Sequence, residues 1–192
     1  MQTRLFYEHL YSAVQFDEKD FPALLEYFTP FYLRKKHFLF QSGNVCKYVA
    51  FVMKGCLRYF QISEQGEEHI IYFAQEGWWA GGLYSFFNGT ATSFNAQALE
   101  DCELLLSDKK SFESALASFP KFSEEYRRKT QRAYTAVQER IAEAQLLSAE
   151  ERYNKLMKEQ PSLLQRVPQH YIASFLGITP ESLSRLRKKS RR

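Results

Sequence analysis

The stretch QHYIASFLGITPESLSRLRKKSRR, residues 169–192, predicts two short helices joined by a tight turn. Ala173 is small enough to let the second helix approach closely, and Gly177 can take the positive φ that a tight turn requires. Thr179 is a good N-cap, and Pro180 suits the first position of a helix. The apolar contacts between the two helices are expected from Ile172, Leu176, Ile178, Leu183 and Leu186. The stretch is therefore typical of a helix-turn-helix motif.

The second helix of this motif carries side chains suited to nucleic acid. Residues 179–192 hold six Lys or Arg residues and one acidic residue, whereas the rest of the chain holds 20 basic and 21 acidic residues. Because the excess positive charge lies in one short segment, we expect double-stranded DNA as the partner. The alternative is a solvated basic segment on an ordinary helical hairpin. The predicted DNA-contact residues are Thr179, Glu181, Ser182, Ser184, Arg185, Lys188 and Lys189.

The composition of the chain is that of a globular protein, with 192 residues, 45% hydrophobic and 25% charged. No apolar run approaches the ~18 residues needed to span a membrane, and residues 1–16 lack the apolar centre of a signal peptide. We therefore expect a cytoplasmic protein without a membrane partner. Cys46, Cys56 and Cys102 form no CxxC pair, so we expect buried, reduced thiols, no metal site and no cofactor.

The middle of the chain, residues 31–107, reads as a series of short strands. Runs such as FYLRKKHFLF (31–40), KYVAFVMKG (47–55) and CLRYFQIS (56–63) are mostly rich in β-branched and aromatic residues, and each is predicted to form one strand. Turn signals such as Lys54-Gly55 separate them, and their regular spacing predicts a small antiparallel barrel or roll. Two short helices are predicted before it, over residues 3–16 and 20–28, the second capped by Asp20.

After the predicted strands the pattern becomes helical. Residues 121–148 contain neither Gly nor Pro and predict one long helix, followed by a further helix over 149–159 that the capping-box segment SAEE begins. Residues that recur at steps of three and four give the long helix one narrow apolar face. We expect this face to pair with a second copy of the chain. The alternative is a helix packed on its own barrel. The predicted dimer-interface residues are Tyr126, Thr130, Ala133, Val137, Ile141 and Ala144.

Three stretches in this order resemble the Crp/Fnr superfamily of bacterial transcription regulators. They are GNVCKYVAFVMKGCLRYF (43–60), EGWWAGGLYSFFNGTATSFNAQALEDCELLLS (76–107) and IASFLGITPESLSRLRKK (172–189). The resemblance implies an α+β fold with an N-terminal antiparallel β-roll like that of cyclic-nucleotide-binding domains. A long dimerisation helix and a helical helix-turn-helix domain without a clear wing are expected to follow. The implied domains are residues 1–120, 121–148 and 149–192.

The resemblance also places an effector pocket in the roll. Cyclic-nucleotide binders of the family use a Glu for the ribose hydroxyl and an Arg followed by Ser or Thr for the cyclic phosphate. The corresponding residues here are Gly82, Thr92 and Ser93. Without the Arg, a buried phosphate lacks its paired cation, so we expect that cyclic AMP is not bound with useful affinity. The predicted pocket residues, for an unknown small-molecule effector, are Gly81, Gly82, Leu83, Thr92, Ser93, Val137 and Gln138.

The aromatic residues of the same region leave two interpretations open. They either line an apolar pocket or fill the space that a pocket would occupy. These residues are Trp78, Trp79, Tyr84, Phe86, Phe87 and Phe94.

The family's recognition helix is matched at two positions of this chain. Glu181 and Arg185 lie one helical turn apart. Glu181 is expected to accept from a cytosine amino group, and Arg185 to donate to a guanine or a phosphate. Pro180 stands where many members have an Arg, so the DNA specificity should differ from theirs.

The predicted function is a homodimeric transcription regulator that inserts two recognition helices into successive major grooves, about 34 Å apart. RNA polymerase is a further expected partner. The alternative is a ligand-sensing module that acts on a protein partner without reading DNA. The sequence contains no nucleophile–base pair, metal-ligand spacing or Walker-type phosphate loop, so we do not expect an enzyme.

Overall fold

The chain folds as an α+β protein in which two antiparallel sheets precede a series of helices. The computed structural model describes residues 3–189, so Arg191 and Arg192 of the predicted basic segment lie outside the described residues. The strands are β1 (Thr29–Leu33), β2 (Phe38–Phe40), β3 (Tyr48–Lys54), β4 (Leu57–Ile62), β5 (Glu68–Ala74), β6 (Trp79–Ala80), β7 (Asn95–Ala98) and β8 (Cys102–Asp108). The helices are α1 (Arg4–Val14), α2 (Phe21–Leu25), α3 (Leu83–Asn88), α4 (Lys109–Ser118), α5 (Pro120–Leu146), α6 (Ala149–Glu159), α7 (Pro161–Arg166), α8 (Gln169–Leu176) and α9 (Pro180–Lys189).

The described residues form two compact units. The first unit runs as far as Gln61 and resumes from Tyr72 to Thr130. The second unit contains Ile62–Ile71 and continues from Gln131. Strand β5 and helix α5 therefore each contribute residues to both units. Among the described residues, no helix combines the length and the apolar character needed to cross a membrane.

The strands of the roll form two four-stranded sheets, with the orders β1-β8-β3-β6 and β2-β7-β4-β5. The predicted antiparallel roll is confirmed, because each strand pair whose register is recorded runs antiparallel. One boundary was not predicted, since the run FYLRKKHFLF (31–40) reads as a single strand but is divided into β1 and β2. Lys36 takes a φ of 69° in the turn between them. The carboxylate of Asp101 holds that turn by accepting the N–H of Lys35 at 2.8 Å.

Aromatic rings fill the core of the first unit. The ring centroids of Phe6 and Phe51 lie 4.7 Å apart, and those of Trp79 and Phe112 lie 5.5 Å apart. Helix α1 packs into this core through Phe6 and Leu10, both of which are buried. The high aromatic content of the sequence is therefore used largely to build the core.

Two predicted helix starts had different outcomes. The capping box that begins α6 is confirmed, because the Ser148 side chain accepts the Glu151 N–H and the Glu151 side chain accepts the Ser148 N–H. The predicted Asp20 cap is wrong, since the side chain makes no capping hydrogen bond. Asp20 instead ends a short 3₁₀ turn that runs directly into α2, so its backbone is already helical and its side chain is not placed to cap.

Candidate nucleic-acid interface and effector region

Helices α8 and α9 form the predicted helix-turn-helix within the second unit. Gly177 follows α8 with a φ of 67°, the left-handed conformation expected for it. The N–H of Ile178 donates to the carbonyl of Ala173 at 3.0 Å, which closes the turn. The contact between the helices is apolar, with Ile172, Ala173, Leu176 and Leu183 buried.

A row of hydrogen bonds runs along the exposed face of α9. The Thr179 hydroxyl accepts the N–H of Ser182 at 3.3 Å and thus caps the helix as predicted. It also donates to Ser182 Oγ at 3.2 Å. The guanidinium of Arg185 then donates to the same Oγ at 3.1 Å. Three of the predicted DNA-contact residues are therefore linked into one line that orients the Arg185 side chain on the exposed side of the helix.

Glu181 begins the first turn of α9 and is exposed. A hydrogen bond from its own backbone N–H lowers the pKa of its carboxyl, and the charge of Arg185 lowers this pKa further. The carboxylate is therefore ionised at neutral pH, as acceptance of a cytosine amino group requires.

The remaining predicted contact residues lie in two different settings. Ser184 and Lys188 are exposed. Lys189 is also exposed, but its ammonium pairs with the Glu150 carboxylate of α6 at 2.7 Å. This pair was not predictable from the sequence, because no local pattern connects positions 39 residues apart.

The long helix presents an apolar row in its second half. Tyr134, Val137 and Ile141 are 65%, 54% and 59% exposed. Thr130, Ala133 and Ala144 are exposed as well. The prediction for Tyr126 needs correction, because its ring packs edge-on against Trp79 and Phe112 in the core of the first unit, at 5.5 and 4.9 Å. Tyr126 falls on the same helical face as the row, but α5 is covered by the core at that point.

The roll leaves no room for a larger side chain at Gly82. A Cβ added there would lie 2.6 Å from the Sγ of Cys46 and 3.3 Å from the Oγ1 of Thr92. At Gly81, an added Cβ would lie 3.2 Å from a methyl group of Val49. A residue larger than glycine at position 82 would therefore require the buried thiol of Cys46 to shift.

The two side chains nearest an added Cβ at Gly82, those of Cys46 and Thr92, are uncharged, and Cys46 lies near a pair of tyrosines. Tyr59 and Tyr72 stack with their ring centroids 4.1 Å apart. Burial raises the pKa of the Tyr59 hydroxyl well above its usual range and also raises that of Tyr72. Cys46 lies close enough to influence both hydroxyls. The association of Cys46, Tyr59 and Tyr72 was not predictable from the sequence, because it depends on the closure of the roll and not on any spacing along the chain.

The other predicted pocket residues differ in burial and position. Thr92 is buried, and its Oγ1 accepts the Phe94 N–H at 3.1 Å. Ser93 is exposed and accepts a hydrogen bond from the Gln61 amide at 3.1 Å. Leu83 is exposed at the start of α3. Val137 and Gln138 belong to the second unit.

The aromatic residues near the predicted pocket divide between core and surface. Trp79 and Phe86 lie in the core cluster of the first unit, and Phe87 packs against it. Tyr84 is 76% exposed, and Trp78 is 39% exposed. The core members therefore fill space rather than line a pocket.

Comparison with known proteins relates this arrangement to one fold. Residues 30–119 match the family described as cyclic nucleotide-binding domain. FixK2 from Bradyrhizobium japonicum is 19% identical with a TM-score of 0.72, over 84% of this chain and 83% of that one. The c-di-GMP-responsive regulator CLP from Xanthomonas campestris is 15% identical with a TM-score of 0.73, over 91% of this chain and 92% of that one. Thermus thermophilus catabolite activator protein is 21% identical with a TM-score of 0.58, over 94% of this chain and 85% of that one.

The chain has the Crp/Fnr fold. No curated protein sequence matches it. Gly82 and Thr92, which the sequence resemblance places at the positions of the acidic and the basic residue of a cyclic-nucleotide site, are both uncharged. The Crp/Fnr resemblance expected from the sequence is thus supported by the roll, the long helix and the terminal helices together.

Proposed function

We propose that the protein is a homodimeric, sequence-specific DNA-binding transcription regulator. The observation that carries the proposal is the hydrogen-bonded row Thr179–Ser182–Arg185 on the exposed face of α9, in a chain with the Crp/Fnr fold. An arginine held in a fixed orientation on a recognition helix can make the bidentate contact with guanine that most often specifies a base pair. An exposed basic segment alone would give only non-specific attraction.

The proposed dimer uses the apolar row of α5. Tyr134, Val137 and Ile141 expose apolar surface that pairing with a second copy would bury. A two-fold dimer would place two copies of α9 in successive major grooves, about 34 Å apart. We propose residues 121–148 as the dimerisation helix between a roll domain (1–120) and a DNA-binding domain (149–192).

We propose further that the roll does not bind cyclic AMP with useful affinity. A cyclic phosphate would meet no arginine at Thr92, and its ribose would meet no carboxylate at Gly82, where Cys46 occupies the space. CLP is a global regulator and the Thermus protein a catabolite activator, and this supports a regulatory role. We propose that the protein acts in the cytoplasm with RNA polymerase as a further partner.

The experiment is selection of genomic fragments by the purified protein at near-physiological salt, followed by sequencing of the bound DNA. An enriched inverted repeat is the expected result. Salt-sensitive binding without a common motif would refute sequence-specific recognition and favour the alternative, a sensing module that acts on a protein partner. In a separate thermal-shift assay, a saturable rise in melting temperature with cyclic AMP would contradict the proposal for the roll.

A further inference from the structure

The tip of the β4–β5 hairpin belongs to the same compact unit as the helix-turn-helix. The tip, Ile62–Ile71, contacts α8 through the Ser174 side chain. The Ser174 hydroxyl accepts the N–H of Ile70 at 3.0 Å and donates to the carbonyl of Glu68 at 3.0 Å. Because β5 lies at the edge of its sheet, Ser174 takes the place that a neighbouring strand would occupy.

The residue next to Ser174 is held by the long helix. The guanidinium of Arg140 donates to the carbonyl of Phe175 at 2.8 Å and to that of Ile70 at 3.4 Å. It also lies 3.8 Å from the centroid of the Phe175 ring, the geometry of a cation–π contact. Arg140 thus contacts both α8 and the hairpin tip from α5.

The Arg140 side chain is charged despite its partial burial. Burial lowers the pKa of the guanidinium to about 10, and the nearby Glu143 opposes this shift. The group therefore remains a cation at neutral pH and needs hydrogen-bond acceptors wherever it is shielded from water. If the hairpin tip moved away from α8, Arg140 would lose the Ile70 carbonyl, and Ser174 would lose both of its backbone partners in the tip. The contact therefore favours one position of α8.

Strand β5 also carries Tyr72, two residues beyond Ile70, and Tyr72 stacks on Tyr59 of β4. The two strands of one hairpin thus carry the stacked tyrosines of the roll and also the backbone groups that bind Ser174. A change of packing at the tyrosines therefore has a direct route along β5 to α8.

We propose that Ser174 and Arg140 are positioning residues that couple the β4–β5 hairpin to the helix-turn-helix and thereby set its affinity for DNA. The proposal rests on the proposed function for its effect on DNA. The coupling itself is defined without DNA. It predicts that a perturbation of the tyrosine pair alters α8 only while Ser174 retains its hydroxyl.

The test first measures amide hydrogen exchange in the full chain without DNA. Ser174→Ala should raise the exchange rate of the Ile70 amide, whereas Ser174→Thr, which keeps the hydroxyl, should restore protection. Tyr72→Phe should change exchange in α8 in the wild-type background but not in the Ser174→Ala background. Equal effects of Tyr72→Phe in both backgrounds would overturn the coupling, whether or not the protein binds DNA.

The second readout is affinity for the inverted repeat selected by the wild type. Ser174→Ala and Arg140→Lys should each weaken specific binding about five- to thirtyfold, the effect of losing one or two hydrogen bonds. Arg140→Lys keeps the charge but loses the planar arrangement of donors of the guanidinium. This variant therefore remains a test if Ser174→Ala fails to fold. The matched controls are Thr135→Ala and Arg132→Lys, exposed positions on α5 that should leave affinity unchanged.

The outcomes separate the two proposals. If the wild type selects no DNA motif, the proposed function fails, and the exchange measurements alone decide the coupling. If exchange changes as expected while specific affinity stays at the wild-type level, Ser174 and Arg140 are structural contacts only, and their positioning role is overturned.

Discussion

Replacement of Ile141 by Ala tests whether the exposed row of α5 is the dimer interface. The Ile141 side chain is 59% exposed in the single chain, so this fraction remains to be buried by a partner. Ile and Ala differ by three carbon atoms, and each buried methylene contributes about 0.8 kcal/mol. Burial of the exposed fraction therefore corresponds to about 1.4 kcal/mol for each side chain. Since a two-fold interface contains the residue twice, the dimer should lose about 2.8 kcal/mol.

That loss corresponds to a roughly hundredfold higher dimer dissociation constant. Sedimentation equilibrium over a range of concentrations would measure it. The folded monomer should not be destabilised, because Ala is a better helix former than Ile. Glu139→Ala is the matched control, since position 139 lies about 200° around the helix from positions 137 and 141 and is exposed. An unchanged dissociation constant for Ile141→Ala, or an equal rise for Glu139→Ala, would refute this assignment of the interface.

Three further predictions concern DNA reading and the roll. Arg185→Ala should weaken binding to the selected repeat by about 1–3 kcal/mol with much less effect on random DNA in a gel-shift titration, and equal losses on both would make Arg185 a phosphate contact only. Gly82→Glu should lower the thermal melting temperature, because its Cβ would lie 2.6 Å from the Sγ of Cys46, and an unchanged melting temperature would show that the roll yields at this point. The pKa values of Tyr59 and Tyr72 are raised from 10.0 by burial, so the stability these hydroxyls contribute is complete below pH 10 and is lost as the pH rises towards the folded-state values. Tyrosinate absorbance and circular dichroism during an alkaline titration should report ionisation together with unfolding, and ionisation of both residues in an intact fold would contradict the burial argument.

Features set by neighbouring residues were predictable from the sequence. The left-handed Gly177, the Thr179 cap and the capping box of Ser148 and Glu151 each depend on groups within a few residues of one another. Their energies arise before any tertiary contact forms, because backbone conformation and local hydrogen bonds decide them. For the same reason, the start and end of α6 were predicted at the residues observed.

Errors arose where a distant residue decides the local structure. The turn between β1 and β2 contains no Gly or Pro, and Asp101 from another part of the chain stabilises it. Tyr126 fits the periodicity of the exposed row, but Trp79 and Phe112 cover it. Periodicity identifies a helical face without showing what that face contacts.

The sequence by itself determined the helix-turn-helix, the antiparallel roll and the order that joins them through a long helix. These features follow from spacing, turn residues and capping, which act over a few positions. Only the tertiary structure decided that Cys46 closes the space beside Gly82, that Ser182 orients Arg185 beneath the Thr179 cap, and that Ser174 binds the hairpin tip. Burial and long-range hydrogen bonds exist only once distant segments have been brought together, so no pattern along the chain can record them.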